Sequence, residues 1–311
     1  AVQCNTTCDG SLMGNGIEAR SFKIPTFQLA VPIRHRQESV QEYAAEEVVN
    51  AIHFIEEQTG EKFDWDAFFK SMKRFNAETE EFLEWMEISK TDYPQVMGVT
   101  LALYRYGVYQ AAGGRNQAFL DMDKKLTKMA LDAYKSKEMA AKEYRHRAMT
   151  WGVQAAYYTA LPIWLLNCWG VVTIADMLSM VSTEMVNTED KHQAMLDLAY
   201  LYENMIMRNR SNGGYETGVE ALWRFCEMFN IDIVIMYVHM GCKSMSGYHG
   251  LFEEEARKHG IHLIWVTHNL MCPEDGTRRD MRTEINRYMR TVFREEPLDP
   301  SLEDFDDSKS W

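Results

Sequence analysis

Three largely apolar runs, at residues 171–175, 231–238 and 261–266, are the feature of the sequence that most limits its fold. Apolar and polar residues do not alternate within these runs, which is typical of parallel strands covered by helices on both faces. The pattern predicts helical tracts around them at residues 190–207, 215–229, 250–258 and 277–294. Two shorter strands are predicted at residues 1–4 and 26–31. This order favours an α/β fold.

The stretch between the two sets of strands is predicted to be mostly helical. Apolar residues recur every three or four positions across residues 38–57, and again from Asp64 to Ser89. A third helical tract follows Pro94, pauses at Gly113 and Gly114, and resumes through Leu120 to Ala133. We therefore expect two doubly wound (Rossmann/flavodoxin-like) parallel-sheet units with a large helical layer between them.

The expected domain limits follow from this pattern. Residues 1–149 are expected to form the first α/β unit together with the helical layer, and residues 150–295 the second α/β unit. Residues 296–311 are expected to be an acidic C-terminal tail, suited to docking or disorder. The first unit is expected to be N-terminally incomplete, because a sheet that starts at Ala1 lacks the elements that normally precede such a strand.

Composition excludes several classes of protein. The chain has 33 basic and 46 acidic residues and a net charge of −13, which gives no positive surface for gripping nucleic acid. Its most apolar stretch, residues 161–173, is interrupted by Pro162 and Gly170 and is too short to cross a membrane. Six unevenly spaced cysteines in 311 residues do not resemble a secreted disulfide framework. We expect a cytoplasmic protein that binds neither nucleic acid nor membrane.

Two cysteines follow predicted strands, where ligands bind in open α/β sheets. Cys8 comes after the first short strand, and Cys242 comes after the longest apolar run. Thiolates are the ligands that iron-sulfur clusters select, and small and polar residues follow both cysteines. The alternative is that both are ordinary buried or unreactive cysteines.

The other cysteines and the histidines carry weaker signals. Cys168 and Cys226 lie in apolar surroundings and are predicted to be core residues. Cys272 follows the last predicted strand, and it either faces the ligand-binding crevice at the strand ends or has a turn role beside Pro273. The histidines lack zinc-site spacing, although His239 and His268 lie just past strand ends.

Three segments carry a resemblance to a known family. They are residues 4–8 (CNTTC) with the following Ile24-Pro25-Thr26-Phe27, residues 59–64 (TGEKFD), and residues 241–248 (GCKSMSGY). In this order they are similar to the 2-hydroxyacyl-CoA dehydratase and benzoyl-CoA reductase family, and most of all to the alpha-type subunit of the dehydratases, such as those acting on lactoyl-CoA or 2-hydroxyglutaryl-CoA.

The resemblance implies a heterodimer of two homologous subunits, each holding a 4Fe-4S cluster through three cysteines with one iron left open. It also implies an ATP-hydrolysing iron-sulfur activator protein that binds transiently and injects one electron. The thioester of an (R)-2-hydroxyacyl-CoA then becomes a ketyl radical and loses water to give the 2-enoyl-CoA. Such an anaerobic, fermentation-type enzyme is expected to lose activity in air.

The resemblance also assigns roles to residues. Cys8 and Cys242 match two of the three metal ligands, and the third is expected upstream of Ala1, with Cys4 as the alternative. Ser244 and Ser246 match catalytic positions next to the open iron, and Lys243 and Gly247 match cofactor-binding positions. The alternative role of this segment is to cap the helix that follows.

Two other functions stay open at this point. A benzoyl-CoA reductase-type subunit would leave the electrons in an aromatic ring, although residues 243–248 favour the dehydratases. A non-catalytic scaffold subunit that lacks a cluster would only support a partner.

Overall fold

The computed structural model describes residues 2–4, 9–30, 38–95, 116–139, 143–177, 184–204 and 215–305. They form a mixed α/β protein that divides into two compact units. The first unit comprises residues 1–83, 111–125 and 181–219, and the second comprises residues 84–110, 126–180 and 220–311.

The secondary structure of the described residues is as follows. The strands are β1 (Val2–Cys4), β2 (Phe27–Leu29), β3 (His146–Trp151), β4 (Val171–Asp176), β5 (Ile233–His239) and β6 (His262–His268). The helices are α1 (Asp9–Phe22), α2 (Glu38–Thr59), α3 (Trp65–Ser89), α4 (Gln117–Lys135), α5 (Leu161–Trp169), α6 (Lys191–Glu203), α7 (Tyr215–Phe229), α8 (Lys243–His259) and α9 (Arg278–Tyr288).

The first unit contains a two-stranded parallel sheet and a helical core. β1 pairs with β2, and α1 connects them. α2 packs on α6 through small side chains, among them Ala44, Ala45 and Ala199, so the two backbones approach closely. The N-terminus of α6 is capped by Asp190, whose carboxylate accepts a hydrogen bond from the Gln193 amide at 2.7 Å.

The second unit is built on a four-stranded parallel sheet in the order β4-β3-β5-β6. One face of the sheet, which includes Ile235 and Ile264, packs in the same core as α5 and α9. Trp265 points to the opposite face, because side chains alternate along a strand, and its ring contacts Phe252 of α8. Helices therefore cover both faces, which explains why the strands are apolar runs.

The strand order creates a switch point at the carboxyl edge of this sheet. From β3 the chain passes outward to β4, and it then returns across β3 to add β5 and β6 on the other side. In such sheets the crevice outside the carboxyl ends of the strands where the direction reverses is the usual ligand site. Here these strands are β3 and β5.

The structure differs from the predicted elements at several places. β3 was not predicted; it is central in the sheet and crosses the expected boundary between residues 149 and 150. α1 and α5 were not predicted as helices either, and α8 begins at Lys243 rather than at residue 250. The first half of the helical tract expected after Pro94, up to Gly113 and Gly114, lies outside the described residues, whereas α4 confirms the second half.

The C-terminal residues that the structure describes pack on the second unit. The Trp164 indole donates to the Leu302 carbonyl at 2.8 Å, and the Leu298 amide donates to the Cys168 carbonyl at 2.7 Å. Arg290 makes two hydrogen bonds to the carboxylate of Glu303. Residues 296–305, predicted as part of an acidic tail, are thus fastened to α5 and α9.

Within the described ranges, no helix is both long and apolar enough to span a bilayer.

Buried Arg147 of β3 holds this sheet to two helix ends, and we expect its loss to destabilise the fold. Its guanidinium donates to the carbonyls of Phe229, Thr91 and Ser89 at 2.7–2.9 Å. Arg147→Met would leave these buried carbonyls unpaired, so the free energy of unfolding should fall by about 2–4 kcal/mol. Urea denaturation measures this change. Arg257→Met is the control: among the described residues, the exposed Arg257 donates only to the Glu253 carbonyl, so the change should be within about 0.5 kcal/mol. Equal effects of the two substitutions would contradict the role of Arg147.

Candidate functional site

The candidate site lies at the carboxyl edge of the second sheet. β5 and β6 run side by side to their ends, where His239 pairs with His268, whereas β3 ends beside Met236. After β3 the chain turns at Gly152, which has a φ of 104° and lies against the Tyr237 carbonyl. The loop that follows continues to the segment after β6, where the Ala156 amide donates to the Leu270 carbonyl at 3.0 Å.

A short turn connects β5 to α8 and carries Cys242. The amides of Met240 and Cys242 donate to the carbonyls of His268 and His239, at 3.0 and 2.8 Å. The amide of Gly241, between them, donates to the ring Nδ1 of His239 at 3.0 Å. Each of the three amides in the turn therefore has an acceptor, which fixes the path of the backbone into the helix.

Cys242 is the N-cap residue of α8, with φ −87° and ψ 98°. Its carbonyl accepts the first helical hydrogen bond, from the Ser246 amide, whereas its side chain makes no capping hydrogen bond. The thiol is free and half-buried. Its sulfur is thus available to a ligand at a helix N-terminus, where partial positive charge favours an anion.

The other predicted site residues lie in the first two turns of α8 rather than in a loop. Lys243 is exposed. The Ser246 hydroxyl donates to the Cys242 carbonyl at 3.1 Å. Neither Ser244 nor Ser246 is the N-cap of α8, so the alternative role predicted for this segment, capping the helix, is wrong for both serines. The Ser244 hydroxyl is buried and has no hydrogen-bond partner among the described residues. A methyl group on Gly247 would meet no described atom within 4 Å, so the helix backbone is open there.

Buried aromatic and histidine side chains lie beneath the turn. His268 is fully buried, and its ring meets those of Tyr237 and His239 edge-on at centroid distances of 5.6 and 6.1 Å. Burial lowers the pKa of His268, although backbone groups of Asn269 and Val153 act in the opposite sense. Burial raises the pKa of Tyr237. Both groups are therefore neutral near pH 7.

The other three cysteines whose side chains are described, Cys168, Cys226 and Cys272, are not suited to binding a metal. Cys168 and Cys226 are buried in the core, as predicted, and burial raises the pKa of each thiol to about 12. Cys272 lies in the turn after β6, and its thiol donates to the Glu274 carboxylate at 3.1 Å. This hydrogen bond is the main reason why the pKa of Cys272 is raised, and a retained proton disfavours metal ligation.

The predicted ligand set is described only in part. Cys242 lies at the expected strand end, but Cys8 lies outside the described residues, and for Cys4 only the backbone, in β1, is described. Within the described residues, no three His, Cys, Asp or Glu side chains converge as a metal site requires. Among the described residues, this edge of the sheet therefore offers a soft metal one thiol donor, that of Cys242.

Sequence reasoning missed two features of this edge. The first feature is the turn at Gly152, which follows β3. β3 was not predicted because the polar residues His146, Arg147 and Thr150 interrupt its apolar run. The sequence signal that was present is the Met149-Thr150-Trp151 run before a glycine, which is typical of a strand end. The contact of the His239 ring with Gly241 has no sequence signal, since it depends on the backbone path.

The chain was compared with protein families and with curated protein sequences. A family model described as "2-hydroxyglutaryl-CoA dehydratase, D-component" matches residues 1–288 of the chain. No curated protein sequence matches it.

Proposed function

The chain belongs to the 2-hydroxyglutaryl-CoA dehydratase D-component family, and we propose that it is the alpha-type iron-sulfur subunit of a heterodimeric, cytoplasmic 2-hydroxyacyl-CoA dehydratase. Its reaction would remove water from an (R)-2-hydroxyacyl-CoA to give the 2-enoyl-CoA. The observation that best supports this function is the placement of Cys242. A half-buried thiol with no capping role ends the turn after β5, beside the switch point of the sheet.

We assign Cys8 and Cys242 as two ligands of a 4Fe-4S cluster, with a further cysteine as the third and Cys4 as one candidate for it. When bound, the cluster would supply one electron and a Lewis-acidic iron for the thioester carbonyl. Cys242 is suited to this role because three amides of its turn are hydrogen-bonded, two to backbone carbonyls and one to the His239 ring, while its sulfur makes no hydrogen bond to the helix.

The residues after Cys242 would bind and orient the substrate and support the cofactor. The buried, unpaired hydroxyl of Ser244 is suited to hydrogen-bond a polar group of the substrate, and Ser246 would complete the same border. The exposed ammonium of Lys243 would balance negative charge at the helix N-terminus, and Gly247 would allow close approach to the backbone.

The proposal also extends to the fold and the partners. Two doubly wound parallel-sheet units with a helical layer between them would make up the subunit, and a homologous subunit would complete the dehydratase. An ATP-hydrolysing iron-sulfur activator would transfer one electron, so that the substrate thioester reacts as a ketyl radical and returns the electron after water is lost. The four-stranded parallel sheet of the second unit supports this architecture.

An anaerobic turnover assay tests the function. The chain is combined with its partner subunit, the activator, ATP and either lactoyl-CoA or 2-hydroxyglutaryl-CoA, and the enoyl-CoA product is measured by mass spectrometry. We expect dehydration of at least one of these substrates and its loss when the chain is left out. Reduction of benzoyl-CoA instead would contradict the dehydratase assignment. An iron-free, colourless chain whose partner is still active would indicate the scaffold subunit.

We expect Ser244→Ala to lower turnover without lowering stability. The hydroxyl has no hydrogen-bond partner among the described residues, so its removal should change the free energy of unfolding by less than about 1 kcal/mol. Loss of a hydrogen bond to the substrate should lower kcat/KM about tenfold or more. Steady-state kinetics and urea denaturation of the same preparation measure both quantities.

Ser89→Ala is the matched control for this substitution. Ser89 is also buried, and its hydroxyl also has no hydrogen-bond partner among the described residues, but it ends α3. The control should leave both stability and kcat/KM unchanged. Equal turnover by wild type and Ser244→Ala would contradict the assignment of Ser244.

A further inference from the structure

His239 is the residue that links the end of β5 to the turn that carries Cys242. Its carbonyl accepts from the Cys242 amide at 2.8 Å, and its ring Nδ1 accepts from the Gly241 amide at 3.0 Å. His239 thus accepts hydrogen bonds from two successive amides, one through its backbone carbonyl and one through its side chain. Because Nδ1 is the acceptor, the ring proton of the neutral imidazole must be on Nε2.

The ring also limits what can stand at position 241. A Cβ on Gly241 would lie 3.1 Å from Cε1 and 3.2 Å from Nδ1 of His239, which is tighter than an ordinary contact. The glycine therefore lets the backbone amide come close enough to the ring to form the hydrogen bond. On its other side the His239 ring meets buried His268 edge-on, so its orientation is supported by packing.

We infer that His239 is a positioning residue for the Cys242 ligand: its imidazole fixes the Gly241 amide, and through it the direction in which Cys242 presents its sulfur. This inference rests on the proposed function of Cys242 as a cluster ligand. The imidazole does not touch substrate or cluster in this role. Its hydrogen bond orders the turn just before the helix, at the Gly241 amide, and is distinct from the capping hydrogen bond that the Cys242 side chain does not make.

The test compares three substitutions of His239. In His239→Asn, the amide oxygen is attached at the same point as Nδ1 and can accept from Gly241 in its place. His239→Gln also carries an amide, but its oxygen lies one bond further out. His239→Ala removes the acceptor. His249→Ala is the control, because His249 is an exposed histidine on α8 that stacks on Trp265, away from the turn.

The first measurement uses the chain without iron. Hydrogen exchange, followed by mass spectrometry of peptides that cover residues 239–242, reports the three amides of the turn, of which the Gly241 amide donates to the His239 ring. We expect about five- to tenfold faster exchange in His239→Ala and His239→Gln, and a rate near wild type in His239→Asn and His249→Ala. Should His239→Ala not fold, the comparison of Asn with Gln decides, because both keep a polar side chain of similar size. Equal exchange in Asn and Gln variants would overturn the role of the ring in the turn.

The second measurement adds ferrous iron and sulfide under anaerobic conditions and follows bound iron and the visible absorption spectrum. We expect the Asn variant to retain the wild-type spectrum and the Gln variant to hold at least about threefold less iron. If wild type itself binds no iron, the proposed function fails, and the exchange measurement still decides whether His239 fixes the turn. If wild type and both variants bind iron equally, the positioning role is wrong while the proposed function stands.

Discussion

Cys242→Ser should lose bound iron and turnover together while keeping the fold. A hydroxyl is a poor ligand for iron compared with a thiolate, so loss of this sulfur removes a coordination bond rather than weakening one. The Cys242 side chain makes no hydrogen bond that caps α8, so serine at this position should not destabilise the helix. We expect turnover to fall by at least about 100-fold, with the melting temperature of the iron-free protein unchanged.

Cys272→Ser is the matched control for this experiment. Both cysteines are half-buried and follow neighbouring strands of the same sheet. The Cys272 thiol, however, donates to Glu274, and this interaction raises its pKa and disfavours the thiolate. Iron content and turnover of Cys272→Ser should equal those of wild type. If Cys272→Ser lost iron and Cys242→Ser kept it, the ligand assignment at this edge would be reversed.

Gly152→Ala should be the most destabilising single methyl addition at the candidate site. Gly152 has a φ of 104°, which L residues with a side chain rarely adopt, and an added Cβ would lie 2.3 Å from the Tyr237 carbonyl oxygen. That atom is backbone of a central strand, so it cannot move aside without disturbing the sheet. We expect the free energy of unfolding to fall by about 3 kcal/mol or more, measured by urea denaturation.

Gly250→Ala is the matched control: it adds the same methyl group, but we expect it to raise stability rather than lower it. Gly250 lies within α8, and a Cβ there would meet no described atom within 4 Å. Alanine is the better helix former, so stability should rise by about 0.5–1 kcal/mol. A Gly152→Ala variant that loses less than about 1 kcal/mol would show that the chain after β3 does not cross Tyr237 as closely as described.

The elements that the sequence predicts well are those with a continuous physical signal. β5 and β6 are apolar over most of their length because helices cover both faces, and α2 keeps its apolar spacing over its whole length. β3 breaks this pattern because the guanidinium of its buried Arg147 is hydrogen-bonded by carbonyls from distant segments, which no local pattern reveals. α5 was missed because Pro162 was taken as a break, whereas proline is favoured in the first turn, and Gly170 ends the helix with a φ of 69°.

The candidate site was predictable only as far as strand ends can be located. Cys242 was placed correctly after β5, because the apolar run before it and the small residues after it mark a strand end. The start of α8 was placed too late, because Ser244, Ser246 and Gly247 read as loop residues although they lie inside the helix. The contact of His239 with Gly241 depends on two atoms brought together by the turn, so it required coordinates.

Iron analysis of anaerobically purified wild type, Cys8→Ser and Cys242→Ser tests most directly whether two thiolates distant in sequence ligate one cluster. The account predicts about four iron atoms per wild-type chain, with the visible absorption of a 4Fe-4S cluster, and a loss of both signals in each serine variant. A colourless, iron-free wild-type chain, or full iron content in either variant, would contradict it.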